Sequence, residues 1–150
     1  MPWLIFAVLV WIVVLLIVRP RGLARLWSAF FWSIPSGFFP NQIFVSKGLY
    51  QFQESQYFLG DVPLFYLVAL GGLAVIVMRF LPEHKIWQFP YLILCSLVLM
   101  LLQIFALSKN YILFIQWSLI DSFIFILIAL ITIVWLSSLT IRKQEKRYYF

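Results

Sequence analysis

The chain is predicted to be all-α, a polytopic integral membrane helical bundle of five transmembrane helices, and three observations predict it. Hydrophobic residues make up 65% of the 150 residues, charged residues 11%, and the mean hydropathy is +1.03. A soluble domain is nearer half apolar and a quarter charged. Uncharged runs recur at about the 20 residues needed to cross a bilayer core. Basic residues flank those runs instead of forming a face, which is the distribution that sets membrane topology. So few charges do not cover a water-soluble globule of 17.7 kDa. That excludes a soluble enzyme, a secreted disulfide scaffold and a disordered tail. The net charge of +6 does not point to nucleic acid, because that function needs a basic surface.

The spans follow from where charge is missing. The first, 2–18, closes on Arg19-Pro20-Arg21. Nothing basic precedes it and no small-residue cleavage site follows, so it is read as an anchor with the amino end outside, not as a signal peptide. The second, 26–46, contains Pro35, Gly37 and Pro40. Proline removes a donor and disfavours helix in the residue before it, so this helix is expected to be broken between Ser33 and Gln42. Spans at 62–80, 89–108 and 111–137 complete the set, followed by a short basic tail, 138–150, that is expected to be cytoplasmic.

Counting 26–46 as a span is decided by charge. With four spans the Lys and Arg residues divide five against six between the two sides. With five spans, only Lys47 and Lys109 lie outside and the other nine lie inside. Lys and Arg are held on the cytoplasmic side, so five spans are expected, amino end out and carboxyl end in. Four spans, with 26–46 as a loop or re-entrant segment, is the alternative. Trp3, Tyr50, Tyr57, Trp87, Tyr91, Tyr111 and Trp135 lie near predicted span ends, where amphipathic rings prefer the headgroup level.

Familiar catalytic patterns are missing. The sequence holds no P-loop, no G-x-G-x-x-G, no H-E-x-x-H and no C-x-x-C, and no cofactor or metal is expected. One His and one Cys do not build a structural zinc site. Cys95 is read as a small hydrophobe. The residue that draws attention is Asp121, which a fifth span starting at Tyr111 puts about ten residues, or ~15 Å, below the outer face. An acidic residue at that depth costs about 2.5–3.5 kcal/mol on insertion scales. It is therefore expected to be protonated and hydrogen-bonded. Ser36 and Gly37 of span two and Gly71 and Gly72 of span three fall at the same predicted level. Together with Ser118 and Ser122 they make a candidate intramembrane polar site, because broken backbone beside an ionisable group is how transporters build binding sites. The simpler reading is that Gly71 and Gly72 admit a close neighbour and the prolines only kink a helix. Gln103 and Gln116 face each other across the predicted turn at Lys109-Asn110 and are expected to form a hairpin clasp worth about 0.5–2 kcal/mol.

Four stretches resemble an uncharacterised family of small multi-spanning membrane proteins from spore-forming bacteria. They are Arg19-Pro20-Arg21, the segment from Trp32 through Gly37 to Lys47-Gly48-Leu49-Tyr50, Phe80-Leu81-Pro82, and Tyr111 to Trp117. Where that family tends to place Tyr-Pro after the second span, this chain has Tyr50-Gln51. The resemblance implies the span layout and no activity. The expected function is that of a small non-enzymatic multi-pass protein of the bacterial cytoplasmic (inner) membrane, an accessory or packing subunit of a membrane assembly. Its partners are then the lipid bilayer and, by helix–helix contact, itself or another membrane protein. The alternatives are a small oligomeric transporter or channel using Asp121, and a lipid-site enzyme without a recognisable motif.

Overall fold

A computed structural model describes the backbone of residues 2–148 and the side chains of residues 2–141. Five helices dominate it: α1 (Pro2–Ile17), α2 (Pro20–Ser46), α3 (Leu64–Arg79), α4 (Lys85–Ser108) and α5 (Leu119–Tyr148). Four short strands lie between them: β1 (Tyr50–Phe52), β2 (Phe58–Leu59) and β3 (Val62–Pro63) ahead of α3, and β4 (Ile112–Phe114) ahead of α5. α4 and the Leu119–Ile141 part of α5 are long and apolar enough to cross a membrane; α1 and α3 are apolar but shorter.

Two helix ends have the same construction. α2 stops at Gly48 (φ +72°) and α4 at Asn110 (φ +57°), both in the left-handed region that closes helices. At each, the next amide reaches back to the helix, Leu49 to the Phe44 carbonyl (3.1 Å) and Tyr111 to the Ala106 carbonyl (2.9 Å). Each cap then releases a strand, and the two strands pair antiparallel with Tyr50 opposite Phe114 and Phe52 opposite Ile112. β2 and β3 form a hairpin around Gly60-Asp61, with Gly60 at positive φ as such a tight turn requires. Gln42 clamps this hairpin to α2, donating to the Asp61 carboxylate (2.7 Å) and accepting from its amide (2.8 Å).

The helices pack in the order α1, α3, α2, α5, α4, each mainly against its neighbours in that series. α1 runs parallel to α3, since Trp3 meets Tyr66 while Val10 and Val14 meet Gly72. α2 runs against α3 and α5, with Phe30 over Gly71 and Phe44 against Phe125. The connections 18–19 and 80–84 therefore share one end of the bundle with Arg19, Arg21, Arg25, Arg79 and Lys85. Lys47 and Lys109 lie at the other end, with the strands.

Two expectations need correction. First, α2 is not broken: it is helical from Pro20 to Ser46 through both prolines. Each proline forfeits one backbone bond, at the Phe31 and Ser36 carbonyls; Ser33 Oγ donates to the neighbouring Phe30 carbonyl (2.7 Å) and the Asn41 side-chain nitrogen to the Gly37 carbonyl, but neither replaces a forfeited bond. α3 and α5 pack along the helix and hold it in place. It also begins six residues before the predicted span, because Pro20 at the first helical position is pre-organised for helix and Arg21 and Arg25 do not interrupt it. Second, the last helix starts at Leu119 and not near Tyr111. The apolar run from Tyr111 spends its first residues pairing with β1. α5 also continues as helix through 138–148, the part expected as a basic tail. The side chains of Arg142, Lys143, Lys146 and Arg147 lie outside the described residues.

Candidate functional site

The most distinctive feature is a cavity of about 540 Å³ in the strand-bearing half of the bundle, lined by side chains of all five helices and of β1 and β4. Its volume is within the usual range for small-molecule sites, about 300–1,000 Å³. The walls are mostly apolar, and no charged side chain lines it.

The roof is aromatic. Trp3 packs on Phe52 (ring centroids 5.5 Å) and Tyr66 (5.4 Å), and Tyr50 packs on Phe52 (5.7 Å) and Trp117 (5.4 Å). β1 makes this possible, because alternation along Tyr50-Gln51-Phe52 sends the two rings inward and Gln51 outward. Trp3 is fixed by its indole N–H, which donates to the Gln53 carbonyl (2.9 Å). Under the roof lies a polar knot. The Tyr50 hydroxyl donates to the Asn41 side-chain oxygen, and Trp117 donates to Ser122 Oγ (2.7 Å). Burial pushes the Tyr50 phenol well above its ordinary range, and the neighbouring Tyr66 adds to the shift. Tyr50 therefore keeps its proton and acts as a donor at neutral pH. The floor includes Leu130, which belongs to the apolar cluster Val77, Leu92, Leu130 and Val134, with the Tyr91 hydroxyl tying α4 to the Val77 carbonyl of α3 (3.0 Å).

Of the residues singled out in the sequence, Ser36, Gly37, Ser122 and Gln103 come together on the cavity wall. Gly71 and Gly72 do not. A Cβ on Gly71 would overlap the Phe30 ring, and one on Gly72 would lie 2.6 Å from Val10. These glycines let α2 and α1 approach α3, which is the simpler reading given above. Asn41, Tyr50, Tyr66 and Trp117 were not expected here. Tyr50 reads in sequence as an interfacial anchor.

Asp121 does not lie midway along the last helix. It occupies the first turn of α5 and is exposed. The Ser118 amide (2.9 Å) and hydroxyl (2.7 Å) both donate to its carboxylate, and its own amide donates back to Ser118 Oγ (3.1 Å). This is a capping box, in which the two residues satisfy each other's otherwise unpaired donors. The carboxylate is an acceptor in both bonds, so the geometry offers no role for the protonated form expected from sequence. The signal was present: Ser118-Leu-Ile-Asp121 before an apolar run is a helix-start signature. Ser118→Ala and Asp121→Ala are each expected to fray this turn. The check is faster amide exchange at Ile120–Phe123 with a modestly lowered Tm, and Asp121→Leu should behave no worse than Asp121→Ala.

The glutamine clasp is also not formed. Gln116 is exposed beyond β4, its amide bonded to the Leu49 carbonyl (2.9 Å). The Gln103 side-chain oxygen is buried with no hydrogen-bond partner. A buried acceptor without a partner costs about 1–3 kcal/mol. Gln103→Leu, which removes it at similar size, is expected to leave stability unchanged or raise it by about 1 kcal/mol in a detergent unfolding curve.

Among the described residues, no group of three or more His, Cys, Asp or Glu comes together to hold a metal ion. Comparison of this chain with protein-family models, with curated proteins and with solved structures gave no match.

Proposed function

We propose that this protein is a five-span, multi-pass protein of a bacterial cytoplasmic membrane, amino end outside, serving as a non-enzymatic accessory subunit in a helical membrane assembly. The observation that carries the reading is the inverted polarity of α2. Its buried residues are Ser28, Ala29, Ser33, Gly37 and Asn41, while Trp27, Phe31, Phe39 and Ile43 are exposed. A helix on the surface of a soluble protein buries its apolar stripe and exposes its polar one. The reverse pattern suits a lipid surround, where small and polar residues form the helix contacts. α4 follows suit, burying Ser96 and Leu92 and exposing Leu94, Leu97, Leu101 and Phe105. At about 1.5 Å per residue α2 is ~40 Å long, enough to cross a hydrocarbon core of about 30 Å.

The accessory role follows from proportion. Outside the helices the described chain consists of short strands and turns, so a partner would meet this protein chiefly inside the bilayer. α4 offers the surface, since its principal helix contact is α5 and most of its length faces outward. Purification in mild detergent is expected to bring down an unlike membrane protein in fixed proportion. A pure homo-oligomer that moves ions in liposomes would replace this reading with a channel or transporter.

A further inference from the structure

The five helices form an arc, not a closed ring. Contacts run α1–α3–α2–α5–α4, and α1 and α4, the two ends of the series, are not a packed pair. Both nevertheless line the cavity. Their lining residues Ile5 and Leu9 on α1 and Leu102 and Phe105 on α4 are also exposed, at 60%, 57%, 41% and 59%. The cavity therefore has a lateral mouth between α1 and α4. The mouth is confined to the strand-bearing half, because the Val77–Leu92–Leu130–Val134 cluster and the Tyr91–Val77 bond close the other half.

We infer that this cavity holds one hydrocarbon chain of an outer-leaflet lipid, which enters sideways between α1 and α4. The inference rests on the membrane-embedded reading, with the leaflet set by the amino end being outside, and not on the accessory role. Three observations select this occupant. The lining carries no charge, so no ionic headgroup is recognised inside. The polar groups under the roof are largely spent on one another, Tyr50 on Asn41 and Trp117 on Ser122, and the one buried lining acceptor left without a partner among the described residues is the Gln103 side-chain oxygen, too little to select a polar ligand. Water is a poor filler, because apolar cavities stay dry, and leaving a void of about 540 Å³ empty forfeits the packing of every wall. The opening faces hydrocarbon, which is the nearest available filler. Depth agrees with a chain: along α5 the lining runs from Ser122 to Ile133, roughly 16 Å at 1.5 Å per residue. With C–C bonds of about 1.5 Å, roughly a dozen extended carbons cover that distance.

The test uses the full chain in nanodiscs of phosphatidylcholine doped with phosphatidylcholine bearing a diazirine midway along one acyl chain. After illumination the labelled residues are mapped by mass spectrometry. Leu94 and Leu101 face outward and report contact with bulk lipid. Leu130 and Ala74 are 5% and 3% exposed but line the cavity, so bulk lipid does not reach them. Labelling is expected at both pairs. Leu9→Trp, at the exposed mouth, should lower labelling of Leu130 and Ala74 at least fivefold while leaving Leu94 and Leu101 unchanged. Ala129→Phe, which fills the cavity from α5, should do the same by a route independent of the mouth. Label at Leu94 and Leu101 alone would overturn the inference and leave the membrane reading standing. Failure to label even those two would overturn the membrane reading itself. Labelling of Leu130 and Ala74 that neither variant reduces would also overturn the inference, as would their cross-linking to a second polypeptide.

Discussion

Single cysteines in a Cys95→Ser background should divide cleanly by side, with an all-or-none readout. Gln51→Cys and Gln116→Cys are expected to react with an impermeant maleimide from outside the cell. Ala24→Cys and Glu83→Cys should react only after the membrane is opened. All four positions are exposed, so silence does not arise from burial. The expectation combines charge and geometry. Arg19, Arg21, Arg25, Arg79 and Lys85 gather at one end of the bundle because α1 and α3 run parallel and α2 runs antiparallel to both, on the far side of α3 from α1, and Lys and Arg are retained in the cytoplasm. Labelling of Ala24 and Gln51 from the same side would restore four spans, with α2 lying along the surface.

Gly71→Leu is expected to give the largest loss of stability of any single substitution on α3. Gly71 is buried, and even a Cβ there overlaps the Phe30 ring of α2. Overpacking of this kind costs about 1–3 kcal/mol, set against up to ~1 kcal/mol that leaving glycine returns in helix propensity. Phe30→Ala should relieve much of the cost when combined with Gly71→Leu, although alone it removes packing. An unfolding series of the four proteins in detergent measures the coupling. Additive losses would mean that the two helices are not in register at this point. The same logic applies to Gly72, where the obstructing neighbour is Val10 of α1, so α3 uses consecutive glycines to receive one helix on each side.

The helical, apolar character of this protein was determined by composition and by the spacing of charges, because both act locally. Helix ends were also locally encoded. Lys47-Gly48 and Lys109-Asn110 supply the left-handed residues that close α2 and α4, and Ser118-x-x-Asp121 opens α5. Hydropathy obscured the last of these. It scores an apolar residue alike in strand or helix, so the run from Tyr111 looked like the top of a span and put Asp121 midway along a helix, not in its first turn. What moved it was the pairing of Ile112–Phe114 with Tyr50–Phe52, two segments some sixty residues apart whose match no local window records. The cavity was decided in the same way. Ser36, Gly37, Gln103 and Ser122 stood out in the sequence for their polarity or small size, but the order of packing, α1–α3–α2–α5–α4, decided that they share a wall and that the wall has an opening. Chain order does not determine spatial order when every helix presents an apolar surface. Small residues make that choice, because close approach is available only where Gly37, Gly71 and Gly72 leave room for a neighbour.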